Sequence, residues 1–326
     1  MKNVSTIRLA IISDVHYASA AEKAHGETFL SAVPNPFRRW LVKQYRHHIW
    51  LRDAFEHNHH LDQFLAATRD ADFAVANGDY ACDTAYVGVM DEAAFQSASE
   101  CLGKLRGAFP GRFQGTFGDH EIGKKMLAAD VGGLRLASFS RAQTELGLEP
   151  FWQMRFGRMV LIGMTSTLAA MPVYQAESLP DESAEWRRLA ALHLAEIDRA
   201  FAALNDTDRV ILFCHDPTAL PFLGRLPAVR QHFPQIERTV IGHLHSLIYL
   251  RMSRALSGMP SLEFIGHSVR RMSLALREAR HWKPFKVLLC PSPPGVQLLK
   301  DGGFFTATLR PDGSEPVRFE FHRLPW

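Results

Sequence analysis

Four cysteines in 326 residues, Cys82, Cys101, Cys214 and Cys290, form no C-x-x-C pair and no closely spaced framework. Their scarcity excludes a small disulfide-stapled fold, and buried thiols in a reducing compartment are the expectation. Long apolar runs are missing too. The longest, near Met159 to Val173, is interrupted by Gly163, Thr165, Ser166, Thr167 and Pro172, so no bilayer-spanning helix is expected. The first residues hold Lys2 but no apolar signal core, which points away from export and toward a cytoplasmic location. Excess charge of one sign is small: a formal net charge of +3 cannot by itself hold nucleic acid, so no specific nucleic acid partner is expected. With no internal repeat and no low-complexity linker, one domain over residues 1–326 is the simplest organisation.

What the chain does have is a composition that is 47% hydrophobic, enough for a large core. Short runs rich in Val, Ile, Leu and Phe alternate with helical patterns, and several end directly at polar residues. LAIIS precedes Asp14, DFAVAN precedes Gly78, and RVILFC precedes His215. That texture is α/β, with a site at strand ends. FWQMRF-GR-MVLIGMT, from Phe151, reads as two strands joined by a tight Gly157-Arg158 turn. Trp186, Leu189, Leu192 or His193, Ile197 and Phe201 fall at helical spacing and predict an amphipathic helix over 182–204 whose stripe is core. Strand candidates return over 284–326 as PFKVLLC, GFFTATL and VRFEF.

Five separated segments carry residues suited to divalent metals. They are Asp14-Val15-His16, Gly78-Asp79, Gly118-Asp119-His120-Glu121, His215, and Gly242-His243-Leu244-His245. Imidazole and carboxylate hold borderline metals, and a catalytic pair of ions needs a carboxylate that bridges both. In extended backbone, D-x-H and H-x-H place both side chains on one side. The glycines allow close backbone approach or unusual φ. A lone Asp or His beside a strand is usually a cap or a satisfied core group; the ordered set of five is not explained that way.

The set resembles the calcineurin-like metallophosphoesterase superfamily, whose pattern is D-x-H, G-D, G-N-H-[DE], H and G-H-x-H, and the resemblance runs from Ile11 to His245. It implies an α/β, four-layer αββα fold in which a two-sheet β-sandwich is flanked by helices and the C-terminal strands complete a sheet. It further implies that Asp14, His16, Asp79 and His245 hold one ion, that Asp119, His215 and His243 complete the second, and that Asp79 bridges. The implied activity is hydrolysis of phosphoester or phosphoanhydride bonds by water activated at a dinuclear centre. His and carboxylate ligands without thiolate admit two divalent ions, manganese above all, or iron or zinc. One position departs from the pattern: Asp119 stands where Asn is usual, which adds a carboxylate, tightens metal binding and reduces Lewis acidity. The resemblance also assigns His120 to the leaving oxygen, with Glu121 orienting it.

Other polar residues are less determined. Asp83 suits either a hydrogen bond to a ligand imidazole or a helix cap, and Asp216 beside His215 is similar. Arg155, Arg270 and Arg271 are candidates for gripping an anionic substrate. His57, His59 and His60 lack a partner set and read as a solvated helix face.

Between His16 and Asp79 the chain is long for one crossover, and an insertion over about 22–68 is expected. Asn35-Pro36 starts a helix, with Asn as cap and Pro in the first turn. From Phe37 to Arg52, FRRWLVKQYRHHIWLR holds five Lys or Arg, no acidic residue and four aromatics. Phe37, Trp40, Leu41, Tyr45 and Ile49 share one arc, opposite Arg39, Lys43 and Arg46. A basic helix packed on the domain and a cap for a membrane surface or lipid substrate both fit this pattern. The feature is similar to the cap of UDP-diacylglucosamine pyrophosphohydrolases. The expected partners are therefore a phosphorylated small molecule or a lipid-linked nucleotide, with peripheral membrane contact. Cyclic-nucleotide phosphodiesterase activity and a non-catalytic binding scaffold are the alternatives.

Overall fold

Alternate residues of the strands face two different cores, and that division builds the layers. The computed structural model describes residues 6–26, 30, 32–82, 86–126, 131–258, 273 and 275–326. Its strands are β1 Ile7–Ile12, β2 Phe73–Asn77, β3 Phe113–Thr116, β4 Phe151–Phe156, β5 Met159–Met164, β6 Arg209–Cys214, β7 Ile236–Ile241, β8 Val287–Leu289, β9 Gly303–Leu309 and β10 Arg318–Arg323. They form two five-stranded sheets, ordered β10-β9-β1-β2-β3 and β4-β5-β6-β7-β8. β1, β2 and β3 run parallel, as do β5 through β8, while β9, β10 and β4 are antiparallel to their neighbours.

Leu9, Ile11, Phe73, Val75, Met159, Leu161, Ile211, Phe213 and Val240 meet in the core between the sheets. Their neighbours along the same strands, among them Ala10, Ile12, Ala74, Ala76, Val160, Ile162, Val210 and Leu212, face the flanking helices. Strands covered on both faces read as continuous apolar runs, which is why LAII and VILF show no alternation. The result is a mixed α/β fold of two sheets flanked by helices.

The Gly157-Arg158 turn joins β4 to β5 as expected, and the predicted amphipathic helix spans Ser183–Ala202 with Trp186, Ala190, His193, Ile197 and Phe201 buried. His193, not Leu192, occupies the stripe; Leu192 is exposed. The C-terminal strands divide: β8 extends one sheet, β9 and β10 the other.

In the insertion, the Asn35 side chain accepts hydrogen bonds from the Phe37 and Arg38 amides, each at 3.0 Å, and starts the helix Pro36–Tyr45. A five-residue π turn, Arg46–Trp50, continues it. The expectation of a solvated face at His57, His59 and His60 is corrected at His60. That ring is buried, with Nε2 at 3.1 Å from the Pro325 carbonyl and Nδ1 at 3.2 Å from that of His57, so it ties the helix His59–Thr68 to the chain's last residues. Among the described residues no helix is long and apolar enough to cross a membrane.

Candidate metal centre

Parallel strands present their carboxyl ends at one rim of each sheet, and the five segments all begin there. Asp14 and His16 follow β1, Asp79 follows β2, Asp119 follows β3, His215 follows β6, and His243 and His245 follow β7. The parallel pairing continues past the strand ends. The Asp14 amide donates to the Gly78 carbonyl at 3.1 Å, that of His16 to Asp79 at 3.0 Å, and that of Gly242 to His215 at 2.9 Å.

Two glycines meet where the loops cross. A Cβ on Gly78, at φ +88°, would lie 2.7 Å from the Gly118 Cα, so only glycine lets the Asp79 and Asp119 loops touch. The expectation of extended backbone through D-x-H and H-x-H is corrected. Asp14, His16, Asp79, His243 and His245 have φ of 52°, 48°, 56°, 62° and 57°, in the left-handed region that non-glycine residues seldom adopt. Such conformations persist only where surrounding contacts impose them, and they gather at functional sites. Here all five belong to residues whose side chains converge on one cluster.

The seven side chains converge in two groups, Asp14, His16, Asp79 and His245, and Asp79, Asp119, His215 and His243. Within each group one donor atom per residue lies within 4.8 Å of all the others. Asp79 belongs to both. These are the groups that the resemblance implies. His215 Nε2 is 3.1 Å from Asp79 Oδ2 and 3.6 Å from Asp119 Oδ1; His243 Nδ1 is 3.4 Å from that same Asp119 oxygen. His245 Nε2 is 3.4 Å from Asp14 Oδ1 and 3.2 Å from His16 Nε2.

Neighbours fix the rings. His16 Nδ1 faces the Ala81 carbonyl at 3.2 Å and His215 Nδ1 that of Asn77 at 2.6 Å, which leaves each Nε2 toward the carboxylates. Asp216 lies 3.7 Å from His243 Nε2 and is held by the Tyr174 hydroxyl and the Thr218 amide, so it backs a cluster imidazole. Ser13 donates to Asp14 Oδ2 at 2.5 Å, and the His243 amide donates to Asp14 Oδ1 at 2.8 Å.

The donor set fits a pair of cations. Asp79 Oδ2, both Asp119 oxygens and His215 Nε2 are buried and have no hydrogen-bond partner, although buried polar atoms normally find one. Burial alone would raise the carboxyl of Asp79, but His215 and His120 outweigh it and hold the group below the usual carboxylate range. Burial opposes ionisation of Asp119 too, and Lys124 and His243 overcome it. Asp14 is pushed up to about 6 by burial, helped by Asp79 and resisted by His215. His245 sits well below its ordinary value through burial and the facing His16, which keeps its lone pair unprotonated. Burial opposes protonation of His215 and His243, but the carboxylates they face outweigh it and raise both, so a cation binding among these unpartnered oxygens and imidazoles would take the place of those protons.

His120 is buried at the edge of the cluster. Its Nδ1 lies 2.9 Å from the Cys82 carbonyl, its Nε2 lies 3.8 Å from Asp79 Oδ2, and its amide donates to Asp79 Oδ1 at 3.1 Å. Glu121 does not orient it. The Glu121 carboxylate instead accepts from the amides of Asp79, Tyr80 and Gly118, at 3.1, 2.8 and 2.8 Å, and braces the loops that carry Asp79 and Asp119. Consecutive residues on a helical turn diverge by about 100°, so Glu121 cannot follow His120. Burial, and then Asp79, raise its carboxyl to about 7.

Arg155 is also corrected. It pairs with Val160 in the register of β4 and β5 and grips Asp208 through two hydrogen bonds, 2.7 and 2.9 Å, at the end of the sheet away from the cluster. Asp83, Arg270 and Arg271 lie outside the described residues. Two neighbours of the cluster carried no sequence signal of their own. Lys124, just past the helical turn Asp119–Ile122 and its Gly123 cap, contacts His120 Nε2 through Nζ and lies 3.7 Å from Asp119 Oδ2. Trp50, at the end of the insertion's π turn, sets its ring 4.7 Å from that of His245.

Neither a protein-family model nor a curated protein matches the chain. Solved structures do. A dimetal phosphatase from Danio rerio aligns over 97% of this chain and 95% of its own, at 12% identity and a TM-score of 0.54. A purple acid phosphatase from seeds of yellow lupin, Lupinus luteus, aligns over 98% of this chain and 52% of its own, at 13% identity and a TM-score of 0.46. The first likeness shows a shared fold, two sheets flanked by helices, and its low identity carries nothing further to this chain.

Proposed function

We propose that the chain is a metal-dependent hydrolase of phosphoester or phosphoanhydride bonds. The observation that supports this most strongly is the pair of four-residue groups sharing Asp79, with carboxylate and imidazole atoms buried and unpartnered. In this reading Asp14, His16, Asp79 and His245 hold one divalent ion and Asp79, Asp119, His215 and His243 the other, with manganese, iron or zinc as candidates. Such ions, when bound, supply Lewis acidity toward water and phosphate.

The chain's own residues do the rest. Asp79 offers its carboxylate to both groups, while Glu121 holds the loop backbone at Asp79 and Gly118 rigid through three amides. His120, with Nδ1 turned to the Cys82 carbonyl, directs Nε2 to the edge of the carboxylate cluster, where it would protonate or hold a leaving oxygen. A non-catalytic scaffold would not need a full set of donors, so the complete set favours turnover. Trp50 against His245 favours a finer reading, a phosphate substrate with an apolar part, such as a lipid-linked nucleotide cleaved at its pyrophosphate.

The test is a manganese-supplemented panel of a generic phosphodiester, a nucleotide-sugar lipid, cyclic nucleotides and a phosphopeptide. Hydrolysis of at least one is expected, and His120→Ala should lower kcat by about 10²–10⁴ with metal content unchanged. No turnover on any member by fully loaded protein would overturn the hydrolase reading.

A further inference from the structure

Sixteen large hydrophobic side chains are exposed among the described residues, and eleven of them sit on three segments. Phe37, Trp40, Leu41, Tyr45 and Ile49 belong to the insertion helix and its π turn. Leu247, Ile248, Met252 and Leu256 belong to the helix Leu247–Ala255 and its cap. Leu298 and Leu299 lie on the turn before β9. Phe37 and Leu298 are each 65% exposed, well beyond the half-burial usual at the rim of a core.

The segments form one face. The Tyr45 and Tyr249 hydroxyls are 3.0 Å apart, and the Trp50 ring lies 5.7 Å from that of Tyr249. The Gln297 and Leu298 amides donate to the carbonyls of Trp50 and Ile49, at 2.6 and 3.2 Å. Trp50 joins the face to the metal centre through His245.

Its exposed charge is mainly cationic. Residues 36–52 hold no carboxylate, and of their five Lys or Arg, Arg38, Lys43 and Arg52 are exposed while Arg39 donates to the Val33 carbonyl; 247–256 add the exposed Arg251 and Arg254, again with no carboxylate. At the far end of that second helix a cavity of about 560 Å³ is lined by Arg238, Arg254, Arg280, Lys283 and Lys286, again with no acidic residue. Asp301, three positions after Leu298, is engaged by the Ser246 hydroxyl at 2.5 Å and the Val296 amide at 3.2 Å.

We propose that this face docks on an anionic lipid bilayer and brings the rim of the metal centre to the lipid surface. Exposed aromatic and aliphatic side chains enter the boundary between headgroups and acyl chains, while the exposed cations that flank them, Arg38, Lys43 and Arg251 among them, meet lipid phosphates. A second copy of the chain suits the face poorly. An isologous pairing would set the patch that carries Arg38, Lys43 and Arg251 against the same cationic patch of the other copy. The docking stands apart from the chemistry; that it delivers a lipid-borne phosphate rests on the hydrolase reading above.

The experiment is sedimentation of the full chain with vesicles of phosphatidylcholine alone and of phosphatidylcholine containing one third phosphatidylglycerol, with and without EDTA. Binding is expected on the anionic vesicles only, falling as salt rises and unchanged by EDTA, so it is scored independently of turnover. Phe37→Ser with Trp40→Ser, Leu298→Ser alone, and Arg38→Glu with Lys43→Glu should each weaken partitioning, the paired variants at least tenfold, while circular dichroism and Tm stay those of the parent. Absence of binding to anionic vesicles, equal binding to neutral ones, or folded variants that bind like the parent would overturn the proposal. So would a concentration-dependent dimer abolished by the Phe37 and Trp40 changes, which would assign the face to a second copy.

Discussion

Asp119 carries one negative charge more than the Asn that the superfamily pattern has at this position, and the structure sets a counter-charge beside it. Lys124 Nζ lies 3.7 Å from Asp119 Oδ2, and among the influences on that carboxyl Lys124 is the largest that favours ionisation. A buried carboxylate deprived of a cationic neighbour is costly, whereas an amide in its place is not. Lys124→Met should therefore lower the stability of the metal-stripped protein by about 1–3 kcal/mol in the presence of Asp119 and by much less in an Asp119→Asn background. Urea unfolding of the four proteins measures the coupling; additive effects would show that Lys124 does not neutralise Asp119. Glu121 teaches a related lesson. The resemblance implied that it orients His120, but the helical turn at Asp119–Ile122 sends its carboxylate to three loop amides instead.

The helix Ser183–Ala202 buries a histidine in a stripe otherwise made of Trp, Ala, Ile and Phe. Burial pulls the His193 imidazole down to about 4 from 6.5, against a smaller opposing influence of the Thr165 backbone. As pH falls below 6.5 the unfolded chain takes up the proton first, so this residue removes stability between about 6.5 and 4 and has no effect above that window. Replacing His193 with Leu should abolish that loss. Relative to the parent, the variant should gain about 2 kcal/mol more at pH 5 than at pH 8, read from denaturant unfolding at both values. An equal difference at the two pH values would mean that His193 is solvated in the folded chain. The same helix shows what periodicity leaves open: residues 192 and 193 both satisfy the spacing, and only packing exposes one and buries the other. The insertion behaves likewise. Asn35 and Pro36 announce its start through local chemistry, but its contacts with Tyr249 and Gln297 are long-range and unmarked.

Each group of four donors draws on both sheets. The first takes Asp14 and His16 from β1, Asp79 from β2 and His245 from β7; the second takes Asp79, Asp119 from β3, His215 from β6 and His243 from β7. Ions held there would join the two halves of the molecule, and a ligand bound only by the folded state stabilises it by about 2.7 kcal/mol at a hundredfold excess over Kd. EDTA should lower Tm by several degrees, and manganese should restore it with saturation near two equivalents. Elemental analysis should find about one ion per chain in His245→Ala and fewer than one in Asp79→Ala, the shared residue. A Tm indifferent to metal, or equal metal content in both variants, would contradict the shared-ligand arrangement.

At this scale the division between sequence and tertiary structure is clear. Local signals specified the apolar strands, the helix spacings, the Asn35 cap, the Gly157-Arg158 turn, and the order in which donor residues follow strand ends, because each depends on neighbours within a few positions. The five left-handed residues of the donor cluster, the Trp50–His245 contact and the exposed apolar face built from three segments come from parts of the chain brought together by two sheets packed face to face. Such contacts follow from the path of the whole chain, and no stretch of it contains them alone.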